Sequence, residues 1–186
     1  MRLRPFAALG AALLLSACGT FVVPTYSPDY ATLDRLKGRA LEPVALATVE
    51  PTDARAVVNV VTLRGAAFEP PGGSFAAYLE SALRADLGEL RLLNPAAPTR
   101  LSATLLKNDF DVSGFSTGTG TLVVRIAIAR AGQPVLDKTY SATTAFPSHF
   151  AANVAVPRAQ AEYPTLVRRL LQTVYADPAF QAALKK

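Results

Sequence analysis

Cys18 is the only cysteine and His149 the only histidine of this chain, which excludes Cys/His zinc clusters and leaves no second thiol to close an intrachain disulfide. Ser148 lies beside His149, but a nucleophilic triad needs convergence in space with an orienting acid, and neighbours in sequence do not supply it. Asp109 and Asp111 fall two apart, so on a strand they share a face and could bind a hard cation or act as paired carboxylates. No other acidic residue is close in sequence, and solvated acids beside a turn are the plainer reading. The run Gly114-Phe115-Ser116-Thr117-Gly118-Thr119-Gly120 has neither the Walker lysine nor the dinucleotide glycine spacing. A strand pattern follows it, where a phosphate site would place a helix N-terminus, so it reads as a hairpin connection. Adjacent Arg168 and Arg169 suit either an acidic partner or lipid phosphate, or simply the wet edge of an amphipathic helix. The sequence therefore assigns no catalytic residue and no metal site, and it calls for no cofactor.

The fate of Cys18 is set by what precedes it. Arg2 and Arg4 open the chain, Phe6 to Leu15 is an apolar run, and the small residues Ser16 and Ala17 follow. This is the three-part layout of a secretory signal, and its run is shorter than the roughly 20 residues a spanning helix needs. Its ending, Leu15-Ser16-Ala17-Cys18, resembles the lipobox of bacterial lipoproteins residue by residue. The resemblance implies a thioether-linked diacylglycerol on Cys18, cleavage just before it and acylation of the freed amine. Two or more acyl chains make membrane attachment effectively lasting. Gly19 stands where an Asp would imply retention in the inner membrane, so the resemblance points to the outer membrane, with the domain facing the periplasm.

The remaining elements form one pattern. Gly19 to about Lys37 mixes Pro and Asp with no sustained period and reads as a tether. Leu41 to Val49 and Ala56 to Leu63 are Val-rich and separated by Pro51-Thr52-Asp53, which predicts two strands and a turn. Ser74 stands at an N-cap, followed by Phe75, Tyr78, Leu79, Ala82, Leu83 and Leu87 at helical steps, with Glu80, Arg84 and Asp86 expected to point away. Alternation predicts a strand from Thr99 to Val112 and another over Thr121 to Arg130, in which Leu122, Val124, Ile126 and Ile128 share a face. Ala131-Gly132-Gln133-Pro134 turns the chain into a third strand, Val135 to Ala145. A second amphipathic helix is expected over Ala159 to Ala176, with Pro164 either kinking it or occupying a first turn. Asp177-Pro178 should cap a short terminal helix. The expected fold is α+β: a mostly antiparallel sheet with two amphipathic helices packed on one face.

Composition agrees with a single packed domain. Of 186 residues, 51% are hydrophobic and 18% charged, a balance that favours a core over disorder. Arg2 and Arg4 are the only charged residues in the signal, so of the 19 basic and 14 acidic residues the mature chain keeps a mild positive excess. The basic side chains are scattered, without the stripe and interleaved aromatics of a nucleic-acid binder. The expected organisation is a signal peptide over 1–17, a lipidated tether over 18–38 and a single periplasmic α+β domain over 39–186. Phe146, His149 and Phe150, in the connection after the last strand, are a candidate partner-docking site, the competing expectation being that the two aromatics cap the core.

Beyond the lipobox, Thr117-Gly118-Thr119-Gly120, an apolar strand, Ala131-Gly132, then Asp137-Lys138-Thr139-Tyr140-Ser141-Ala142 and a terminal amphipathic helix resemble small envelope lipoproteins of the YajG type. The layout is also similar to auxiliary lipoproteins of ABC-type lipid transport systems of the PqiC kind. The resemblance implies no enzyme, but an accessory part of an envelope protein complex, held to the membrane through lipid at Cys18. A small-ligand or lipid-binding module, using a groove between helices and sheet, is the alternative.

Overall fold

The computed structural model describes residues 20–185. The signal and Cys18 lie outside the described residues. The main sheet has the order β2-β5-β6-β7, with β2 at Ala45–Leu46, β5 at Thr99–Asp111, β6 at Thr117–Arg130 and β7 at Gln133–Pro147. β5, β6 and β7 form an antiparallel meander, and β2 lies parallel to β5. β6 and β7 meet through Ala131 and Gly132, both at positive φ (47° and 83°), the two-residue turn whose twist suits a hairpin. Pro134 and Pro147 fall in β7, which is the sheet edge, where a missing N–H breaks no ladder.

One face of this sheet is buried, and the helices lie on it. From β6 come Leu122, Val124, Ile126 and Ile128; from β5 come Leu101, Ala103 and Leu105. A bulge at Leu106, between Leu105 and Lys107, shifts the inward positions by one, so that Phe110 rather than Asp109 faces the core. Helix α2 (Phe75–Glu89) is capped by the Ser74 hydroxyl, which accepts from the Ala77 N–H at 3.1 Å. Helix α3 (Ala152–Ala176) buries Tyr163, Leu166, Val167, Leu170, Leu171 and Val174. Asp177 ends α3 and caps α4 (Pro178–Ala183), accepting from the Ala179 N–H at 3.0 Å. The α+β reading is thus met, with helices on one face of a largely antiparallel sheet.

Several local expectations are corrected. α3 begins seven residues before its expected start at Ala159 and holds both Pro157 and Pro164 in its interior. The Val-rich segment Ala56 to Leu63 is a 3-10 turn at Val57–Asn59 and a two-residue strand, β3 (Thr62–Leu63). Asn59 is the reason: its buried amide donates to the carbonyls of Pro51 and Asp53 at 2.9 and 2.8 Å, and its Oδ1 accepts from the Ala76 N–H, bonds that compete with a ladder. Leu41 to Val49 keeps only Ala45–Leu46 as strand, with an isolated bridge from Glu50 to Thr104 of β5 just beyond it.

The largest correction concerns the expected tether. From Thr20 onward the segment is part of the fold. β1 (Thr20–Val22) pairs in parallel with β4 (Ala66–Glu69), making a second sheet of order β1-β4-β3. Helix α1 (Tyr30–Lys37) buries Leu33 and Leu36, and Val23 is buried beside it. Scattered Pro and Asp residues hid an element whose apolar contacts are only a few residues long.

Candidate functional site

The residues singled out after β7 part company. Phe146, the last inward position of that strand, is 5% exposed and packs on Phe110, ring centroids 6.0 Å apart. It belongs to an aromatic group in which Tyr163 contacts Phe75, Tyr78 and Phe110. Phe150 is 65% exposed, and His149, half-buried, packs against it with tilted rings, centroids 4.3 Å apart. His149 Nδ1 accepts from the Ala151 N–H, a local turn that gives no acid–base partner. Docking therefore remains open to His149 and Phe150 and is withdrawn for Phe146, which caps the core.

Phe150 shares its end of the molecule with a second exposed phenyl ring, absent from the sequence-based candidates. Phe115, at the tip of the β5–β6 connection, is 83% exposed. The Ser148 N–H donates to the Ser116 carbonyl at 2.8 Å, fixing the two loops side by side. Arg64, in the β3–β4 turn, donates to the carbonyls of Phe150 and Val112. One end of the molecule thus gathers three loops and two exposed phenyl rings. The signal was present in the sequence: an aromatic flanked by glycine and serine in a turn has no strand to bury it.

The glycines of that run have a packing role. Gly118 and Gly120 lie inside β6, and a Cβ at either would fall 2.6 or 2.9 Å from the Phe146 or Phe110 ring. They make room for aromatics and cradle no phosphate. Asp109 and Asp111 are exposed; Asp109 pairs with Lys107 at 3.6 Å, and Asp111 accepts from the Ser113 N–H at 2.7 Å. Arg169 is solvated, and Arg168 bonds the Thr165 hydroxyl. Among the described residues, no group of three or more His, Cys, Asp or Glu side chains comes together as a metal ion would need.

The buried carboxylate is elsewhere. Asp86, expected on the outer face of α2, is 1% exposed. Its oxygens accept from the hydroxyls of Tyr26, at 2.9 and 3.1 Å, and of Tyr175, at 3.0 Å. Burial pushes its pKa up to about 6, against the two hydrogen bonds that favour its charged form. Among the described residues no salt bridge reaches Asp86, and both tyrosines are themselves driven well above their ordinary range by burial. The triad joins the N-terminal segment to α2 and the end of α3. A cleft of about 440 Å³ opens nearby between α1 and the α3–α4 corner, lined by Arg35, Arg39, Gln172 and Gln181 among others.

No family model and no curated protein matches the chain. Among solved structures, a DUF330 protein from Xanthomonas campestris superposes with a TM-score of 0.55 at 13% identity, covering 84% of this chain and 94% of that one. A candidate lipoprotein from Caulobacter crescentus gives a TM-score of 0.47 at 11% identity, covering 82% of this chain and 97% of the other. The DUF330 protein shares the fold. Among the described residues no helix is long and apolar enough to cross a membrane.

Proposed function

We propose that this chain is a lipoprotein anchored through Cys18 in the outer membrane, facing the periplasm and serving there as a non-enzymatic accessory component of an envelope assembly or lipid transport complex. The observation that carries the reading is the register of signal, small residues and cysteine at Leu15-Ser16-Ala17-Cys18. The DUF330 protein shares the fold of the domain that follows the signal. Attachment follows from acyl burial, worth about 0.8 kcal/mol per methylene, so that several chains hold where one would not.

The test is fractionation of cells making the full-length protein, with crosslinking before detergent extraction. Wild type should sediment with the outer membrane and bring down defined envelope proteins, and Cys18→Ala should lose the membrane fraction. A protein found wholly in the inner membrane, or one that crosslinks to nothing, contradicts the reading. The alternative, a small-ligand module, draws on the 440 Å³ cleft, whose size suits a small molecule and whose Arg35 and Arg39 suit an anion. Bound ligand in native mass spectra, lost in Arg35→Ala with Arg39→Ala, would favour it.

A further inference from the structure

We infer that the end of the domain carrying Phe115 and Phe150 rests directly on the lipid surface, with no tether holding it off. The inference rests on the reading that Cys18 is lipidated, and the structure adds where that lipid must lie. β1 pairs in parallel with β4 in the register Thr20 to Ala67 and Val22 to Glu69. Going backward from Thr20 therefore leads toward the Arg64–Gly65 turn that precedes β4. Arg64 in that turn bonds the Phe150 carbonyl, so the chain leaves the domain at the end where the two phenyl rings stand. On the other side, Gln160 of α3 donates to the Val22 carbonyl, and α3 starts at Ala152, two residues past Phe150.

Chain length then fixes the distance. Only Gly19 separates Cys18 from Thr20, and two residues span at most about 7 Å. A diacylglycerol on Cys18 thus holds the membrane within roughly 10 Å of this end of the domain. Two large apolar side chains exposed in adjoining loops find there an environment that rewards their exposure, the boundary of headgroup and acyl chain. Arg64 and Arg158 are exposed at the same end, Arg158 bonding the Ser148 carbonyl at 3.4 Å. Of the nearby acids, Asp111 is turned back on the Ser113 N–H and Asp109 is paired with Lys107. The opposite end, at the Ala131-Gly132 hairpin, is a strand length away, about 40 Å for the 14 residues of β6.

Depth-dependent quenching tests this on the lipidated protein reconstituted in phosphatidylethanolamine and phosphatidylglycerol vesicles carrying brominated acyl chains. A thioether blocks Cys18, so Ser116→Cys or Gln133→Cys gives a single site for a fluorophore. Flotation with the vesicles is scored first. The expected result is flotation, quenching several-fold stronger at Ser116→Cys than at Gln133→Cys, and loss of that difference in Phe115→Ser with Phe150→Ser at an unchanged melting midpoint. A protein that floats but quenches equally at both sites, or at neither, overturns this inference and leaves the anchor standing. Failure to float overturns the anchor and the inference with it. Quenching that survives the double replacement assigns the orientation to the short link alone and removes the two rings from it.

Discussion

Asp86 shows how a single residue can read one way in sequence and act another. Its position on α2 lies at the edge of the apolar stripe, and nothing local says that tyrosines 60 residues before and 89 after will meet it. Because its folded pKa of about 6 exceeds the ordinary 3.8, its protonated form favours folding. The stability it lends is complete below pH 4 and falls away as pH rises through 6, by about 3 kcal/mol in all. Asp86→Asn removes this titration. Melting measured from pH 4.5 to 7.5 should show the variant gaining on wild type as pH rises, and parallel curves would contradict the burial. Phe146 and Phe150 make a second contrast. Phe146→Ser should cost about 3 kcal/mol or more, as large-to-small changes in a core do, and Phe150→Ser should leave the melting midpoint almost unchanged. Equal effects in thermal unfolding would refute the division between core and surface. Sequence alone could not divide them, because Pro147 obscures where β7 stops.

At the scale of elements, what was legible was whatever had a long period. The alternation of β6 and the helical steps of α2 and α3 survive because many side chains vote for one face, and the Ser74 and Asp177 caps have a local mechanism. What was not legible had short or non-local causes. β1 is three residues long and exists through its pairing with β4; the Ala56 to Leu63 strand gives way to the bonds of Asn59; the Leu106 bulge decides which of Asp109 and Phe110 faces inward. Leu170, fully buried on α3, tests the principal helix. Leu170→Asp places an unpaired charge in the core and should destabilise by more than about 4 kcal/mol. Circular dichroism that melts within a degree or two of wild type would show that α3 is not packed as described.

For the whole molecule, the consequence of an ordered N-terminal segment is that the domain includes β1 and α1 and does not begin near residue 39. Val23, Leu33 and Leu36 are all buried, and at about 1.5 to 3 kcal/mol each they contribute on the order of 5 kcal/mol that a chain beginning at Arg39 would lack. Such a chain should melt on the order of 10 °C below one beginning at Gly19, with its Asp86 deprived of Tyr26. Equal midpoints would restore the tether. With Cys18 lipidated as proposed, only Gly19 links the anchor to β1, and β1 starts at the end of the domain where Phe115 and Phe150 are exposed. The anchor and the orientation it implies depend on the chemistry of a single residue, and mass spectrometry of the mature N-terminal peptide reads it directly. The expected peptide starts at Cys18 and carries diacylglycerol on sulfur and an acyl chain on its amine. A mature chain starting at any other residue, or an unmodified Cys18, would contradict it.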